Sequence, residues 1–320
     1  MSPDQIIFIQ SALNGILVGS LLGIVAMGLS LTWGFLKIAN FAHLSFALLA
    51  AYMAYSLMVD LALHPLLALL LILPVMFVLG VAVQWLFLRF QVTTFTSLLL
   101  TFGLFIVLEN LITFIWTADT ITTRSALPDF LRKAIRFPPP LERFFVLPPD
   151  LLAFLVAVLL AGGIHWLLHR TAWGRAVRAM AEDPVMAQAY GVHYRREALL
   201  LSGLVSATAG VAGLLIAIKM PLFPSLALAW LGVIVAAVIL GGLGNPIGAL
   251  VATSLLILVQ NVWSVRFQPS WAPLFAFSLF ILYLVLQPDQ LWRQWWSQRS
   301  LRRRLRASSP SASSSAPAER

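Results

Sequence analysis

Long apolar runs alternate with short polar breaks along this chain, in the pattern of helices that cross a membrane. The first four runs fall at about Phe8 to Phe35, Phe41 to Val59, Leu66 to Leu88 and Phe95 to Trp116. A polar stretch from Thr117 to Asp150, with Pro138, Pro139 and Pro140 in a row, separates them from a fifth run at about Leu151 to Leu168. After a second polar stretch, His169 to Glu197, come runs at about Ala198 to Ile218, Ser225 to Leu240, Ala249 to Val262 and Pro273 to Leu286. A span takes roughly 20 apolar residues. The last two runs fall short of that, so each could span, tilt or re-enter, and eight or nine spans stay open. The expected fold is all-α, a polytopic membrane helical bundle over residues 1–288.

Composition agrees with that pattern and removes competing classes. Hydrophobic residues make up 60% of the 320 and charged residues 10%, against about 45–50% and 25% in soluble domains. That excludes an ordinary soluble enzyme, a disordered protein and a nucleic-acid module. It also leaves little room for a soluble catalytic domain. Cys is absent, so there is no disulfide framework, thiolate nucleophile or Cys-ligated metal. Met1 to Gln5 carries Asp4 but no Lys or Arg. A cleavable signal peptide opens with positive charge, so the first run is expected to remain as a span.

The net charge of +9 reads as an orientation signal rather than as affinity for nucleic acid. With nine spans and the N-terminus outside, 14 of the 21 Lys and Arg fall inside and 7 outside, as the positive-inside rule requires. Five of the outer seven (Arg124, Arg132, Lys133, Arg136 and Arg143) lie in the first polar stretch. From residue 289 the composition changes to a basic run, Arg293 to Arg306, followed by Ser-, Ala- and Pro-rich sequence to Arg320. Such sequence cannot bury a core and is expected to be a disordered cytoplasmic tail. Its arginines suit anionic membrane lipids, and Trp292, Trp295 and Trp296 suit the interface beside them.

The scarce polar residues within the runs are the candidates for function. Asn40 and His43 lie between the first two runs, where Asn40 reads either as an N-cap or as part of a broken helix at a transport path. Glu109 and Asn110 lie deep in the fourth run, and an intramembrane carboxylate is a functional candidate by default; a hydrogen bond joining neighbouring helices is the alternative. Gly241 to Pro246, with Asn245, interrupts the seventh run as a tight turn or close crossing. No Gly-x-x-x-x-Gly-Lys-Ser/Thr phosphate loop is present, and so no ATP-binding motif. The small residues from Ser202 to Gly213 read as helix packing.

The second polar stretch reads as two short helices. Thr171 is placed to cap the first, and Asp183-Pro184 reads as N-cap and first residue of the second. Gly191 suits the end of that second helix. Arg175, Arg178 and Glu182, at i, i+3 and i+7, fall on one face. A polar loop with this much local structure suggests a docking surface for a cytoplasmic protein. The alternative is an amphipathic hairpin lying on the membrane without a partner.

That loop resembles the inner loop of the branched-chain amino-acid ABC-importer permeases. The resemblance is carried by Arg170-Thr171-Ala172-Trp173-Gly174-Arg175-Ala176-Val177-Arg178-Ala179, then Asp183 and Gly191-Val192. Three other segments agree in order: Gly28 to His43, Thr96 to Leu104, and Leu240 to Ala249. Two departures stand out. His43-Leu44-Ser45 replaces a His-Gly-Asp or His-Gly-Glu pattern, and Glu109 stands where the family often has Gln. The resemblance implies a permease without its own ATPase domain or catalytic chemistry, working by alternating access in a bacterial or archaeal plasma membrane. It implies as partners a second permease subunit, two cytoplasmic ATPase subunits that bind the ATP, and a periplasmic or lipid-anchored substrate-binding protein. Arg175, Arg178, Glu182, Asp183 and Gly191 then form the expected ATPase-coupling region, within residues 169–197. Asn40, His43, Glu109, Asn110 and Asn245 are expected along the translocation path. No cofactor, metal or nucleic acid is expected. A permease for urea or short amides remains an alternative, as does an ion-coupled secondary transporter working alone through Glu109.

Overall fold

The computed structural model describes residues 3–136 and 144–286. Pro138 to Pro140, Arg143 and the whole basic tail lie outside the described residues, so the expectations attached to them find no structural counterpart. Each apolar run becomes a helix. In order these are α1 (Pro3–Leu36), α2 (Ala42–Tyr55, continued by a π-helical turn, Ser56–Asp60), α3 (Pro65–Arg89) and α4 (Thr94–Trp116). The first polar stretch holds a single turn, α5 (Asp129–Arg132), and a two-residue antiparallel pair, β1 (Ile135–Arg136) with β2 (Phe145–Val146). Then come α6 (Pro148–Arg170), α7 (Ala172–Glu182), α8 (Pro184–Ala189), α9 (Tyr194–Lys219), α10 (Leu226–Gly241), α11 (Pro246–Arg266) and α12 (Ala272–Leu286).

Seven helices (α1, α2 with its π turn, α3, α4, α6, α9 and α11) are long and apolar enough to cross a membrane. The expectation for the eighth run was too short. Pro246 at the first helical position and the Asn245 cap start α11 earlier than hydropathy alone suggests, and it reaches 21 residues. α10 and α12 remain short, at 16 and 15 residues. The chain divides into two units, 1–276 and 277–320; of the second, only the end of α12 is described.

In the first unit, α1, α2 and α9 form the core. The most apolar stretch of α1 is 89% buried, against 22% for α4. Small residues set how closely these helices approach. Gly15, Gly19 and Gly23 on α1 lie against Leu258, Ser254 and Leu250 on α11, where any Cβ would collide with the facing helix. The reversed order of the partners makes α1 and α11 antiparallel. The small-residue run of α9 packs as expected: Gly203 meets Phe77 and Gly210 meets Met76 on α3, and Gly213 meets Ala47 and Ala50 on α2. The Ser202 hydroxyl donates to the Gly80 carbonyl (3.0 Å).

From α1 through α9 successive long helices alternate in direction, whereas α11 runs the same way as α9 because the short α10 lies between them. The Trp116 indole donates to Ser56 Oγ (2.7 Å), which joins the far ends of α4 and α2. Gln10, near the start of α1, clasps β2 just before α6: its Nε2 donates to the Phe145 carbonyl (2.9 Å) and its Oε1 accepts from the Phe145 N–H (3.3 Å). The bundle therefore has one end carrying α7 and α8, and an opposite end carrying residues 117–136 and 144–147.

Candidate functional site

The α7–α8 unit is defined by its caps. Thr171 Oγ1 accepts from the Gly174 N–H (3.0 Å) at the start of α7. Asp183 Oδ1 accepts from the Val185 and Met186 N–H groups (2.9 and 3.0 Å) at the start of α8, with Pro184 at its first position. After α8 the chain turns at Gly191, whose φ of 86° is a left-handed conformation suited to Gly. The Gly191 and Val192 N–H groups donate to the Gln188 and Ala187 carbonyls (both 3.0 Å), closing the helix end.

The same unit is fastened to the spans. Gly174 lies against the Leu167 and Leu168 carbonyls of α6, too close for a Cβ. The Arg178 guanidinium donates to the Leu168 carbonyl, serving a carbonyl of the last turn of α6 that the helix itself leaves unpaired. Val177, Met180 and Ala187 are buried beneath. The one-face expectation for Arg175, Arg178 and Glu182 is thus modified. Arg175 and Glu182 are exposed, whereas Arg178 is half-buried and turned to α6. Asp183 and Gly191 shape the backbone. The outer surface of α8 is apolar at Val185, Met186 and Tyr190, the last 85% exposed; sequence reasoning passed over these three because α8 is too short for an apolar period to register.

The five polar residues expected along a path are dispersed. Asn40 is buried, but its side chain caps nothing; Oδ1 has no hydrogen-bond partner, and its carbonyl accepts from the His43 N–H (3.2 Å). His43 is fully buried against Gly28 of α1, and neither ring nitrogen completes a hydrogen bond of ordinary geometry, although the Val25 backbone approaches the ring. Glu109 is half-buried, with Oε1 sealed from solvent and unbonded, approached by the Leu228 backbone. Asn110 faces outward and its Nδ2 donates back to the Ile106 carbonyl (2.8 Å). Asn245 is exposed and caps α11 through the Gly248 N–H (3.0 Å). Apart from the Asn40–His43 backbone contact, no hydrogen bond or ion pair among the described residues joins any two of the five.

The glycine-rich stretch is the expected tight turn, ending α10 and starting α11. Its strained positions, Gly242 and Gly244, have φ of 90° and 80°. Ser30 of α1 clamps it: the Gly244 N–H donates to the Ser30 carbonyl (2.9 Å) and Oγ (3.1 Å), and the Ser30 hydroxyl donates to the Gly242 carbonyl (3.0 Å). Two further ties attach α4 to the α1–α2 connection and α2. The Thr101 hydroxyl donates to the Ala39 carbonyl (3.0 Å), and the Ser45 hydroxyl to the Phe105 carbonyl (3.2 Å). Ser30 and Thr101 lie within two of the segments that carry the resemblance, but nothing in the sequence assigns them these bonds.

A many-span helical bundle with a capped, firmly seated helix pair at one end suits a membrane transport permease. Residues 11–284 match the model of the family described as branched-chain amino acid transport system / permease component, and the chain belongs to that family, the LIV-type ABC-importer permeases. It is similar to the high-affinity branched-chain amino acid transport system permease protein BraD of Pseudomonas aeruginosa, 26% identical, covering 89% of this chain and 96% of the relative. It is also similar to a probable branched-chain amino acid transport permease protein LivH of Methanocaldococcus jannaschii, 29% identical over 78% and 79% of the two chains. The LivH permease of Escherichia coli K12 is 23% identical over 90% and 96%. No solved structure matches significantly.

Proposed function

We propose that this chain is one permease subunit of an ATP-driven importer for branched-chain or related amino acids. It pairs with a second permease subunit and forms the translocation path by alternating access. The α7–α8 unit is the surface on which a cytoplasmic ATPase subunit docks, which makes its end of the bundle the cytoplasmic one. A substrate-binding protein delivers cargo at the opposite end.

One observation carries this reading. The α7–α8 unit is rigid within itself and joined to α6 through Gly174 and Arg178, yet it presents exposed Val185, Met186 and Tyr190 beside exposed Arg175 and Glu182. An apolar patch rimmed by charge marks a protein contact, and force applied there passes into α6 without a flexible joint. Arg175 and Glu182 belong to the contact surface. Arg178, Asp183 and Gly191 hold its shape.

The test is co-purification with the cognate ATPase. Arg175→Glu, and separately a triple Val185→Ser, Met186→Ser, Tyr190→Ser variant, are expected to lower recovered ATPase by about tenfold or more and to abolish transport while the permease stays folded. Full ATPase recovery and normal transport in both would overturn the docking assignment. A ligand screen on the cognate binding protein, covering branched-chain amino acids, urea and short amides, tests the substrate. Binding of urea alone would replace the amino-acid assignment and leave the permease reading intact.

A further inference from the structure

At the end of the bundle opposite α7 and α8, an apolar groove of about 470 Å³ opens between α3, α6 and α9. Leu66 and Leu69 of α3, Leu152 and Leu155 of α6, and Val211 and Leu214 of α9 form its walls. All three helices are long and apolar enough to span, so the groove faces the hydrocarbon phase rather than water. Pro128, Phe130 and Leu131, in and beside α5, roof it. That roof is held in place: the Thr123 hydroxyl donates to the Ala217 carbonyl of α9, and Ile121 and Leu222 exchange backbone hydrogen bonds (3.0 and 2.8 Å).

A second cavity of about 140 Å³ adjoins the groove, with Leu131 and Ile218 lining both. The second cavity is cationic, with Arg124, Arg132 and Lys219 on its walls. Lys219 is neutralised by Asp150, and Arg132 pairs with Asp129 (3.0 Å) in an exposed contact that is easily exchanged. Arg124 has no carboxylate within ion-pair distance among the described residues. An apolar trough beside a guanidinium that has no carboxylate partner among the described residues, at the end of three spans, fits an amphiphile with an anionic head. Guanidinium groups match phosphate oxygens geometrically, and such bonds strengthen where water is partly excluded.

We propose that this composite cavity seats one anionic phospholipid of the adjoining leaflet. One acyl chain lies in the α3–α6–α9 groove and the phosphate sits against Arg124 and Arg132. Lipid is the occupant because the groove opens on the bilayer itself, and the head is anionic because the cavity beside it carries an excess positive charge. A lipid so placed ties the 117–136 segment to the membrane-spanning helices beneath it.

Native mass spectrometry of the full chain, titrated with phosphatidylglycerol or with phosphatidylethanolamine of the same chains, tests this. One phosphatidylglycerol should be retained per chain, with a preference of about tenfold over phosphatidylethanolamine. The Arg124→Gln, Arg132→Gln double variant should erase the preference. Leu152→Trp, which fills the groove at a partly exposed site, should lower retention of both lipids. A thermal melt establishes that each variant is folded. Equal retention of both lipids by the unaltered protein, or unchanged retention in folded Leu152→Trp, would overturn the seat. So would displacement of phosphatidylglycerol by glycerol phosphate, which would mark a simple anion pocket. Cross-links across the groove between two copies of the chain would assign it to a protein interface instead.

Discussion

Lys219 and Asp150 meet where α9 ends and α6 begins, each side chain about nine-tenths buried. Two charges withdrawn from water are tolerated because they face each other, and removal of one leaves the other stranded. Lys219→Met is therefore expected to destabilise the protein by about 3–5 kcal/mol, whereas Lys219→Met with Asp150→Leu should recover most of that loss. Denaturant titration in detergent checks both, and equal destabilisation of the single and double variants would contradict the pairing. Nothing in the sequence announces this pair, because its members stand 69 positions apart and each reads alone as an ordinary loop charge. Asp183, Thr171 and Gly191 were legible for the opposite reason: a cap bonds its own neighbours, so its signal is local. Asn40 shows the limit of such signals. A polar residue before a helix suggests a cap, but only the packed bundle shows its side chain buried and its carbonyl meeting the His43 N–H instead.

Among the elements, hydropathy located every long helix, since a span must hide its backbone and exclude charge over its whole length. It placed the ends less well, and α11 gained residues at both. The seam between α1 and α11 went unread although its signal was present: Gly15, Gly19 and Gly23 recur every fourth position, the spacing of one helix face. The backbones meet so closely there that a side chain has nowhere to go. Gly19→Leu should force α11 away and cost roughly 1–3 kcal/mol or more, read as a lowered melting temperature in detergent. A melting temperature within error of the unaltered protein would show that the seam yields freely. By contrast, Gly103, Gly162 and Gly163 have open space where a Cβ would stand, so spacing rather than glycine content marks the contact.

For the molecule as a whole, alternation from α1 through α9 puts Arg124 and Tyr190 at opposite ends of the bundle, and the proposed function takes the Tyr190 end as the cytoplasmic one, as the excess of Lys and Arg predicts. The absence of Cys makes this directly measurable. Arg124→Cys should react with a membrane-impermeant maleimide on intact cells, and Tyr190→Cys only after permeabilisation. The reverse result would invert the protein, and labelling of both from one side would break the alternation.

α1 touches both of those ends. Its 34 residues, at about 1.5 Å each, make a rod of roughly 50 Å, well beyond the ~30 Å hydrocarbon core. Near one tip Gln10 grips Phe145; near the other Ser30 grips the glycine-rich turn, and α7 lies alongside. Between them the glycine seam brings its backbone closest to α11. A rod held in the middle and gripped near both tips is a seesaw on a fulcrum. In the proposed alternating-access cycle, a tilt imposed where α7 lies is expected to swing the far tip of α1 the other way, which gears the two ends of the bundle to move in opposite senses.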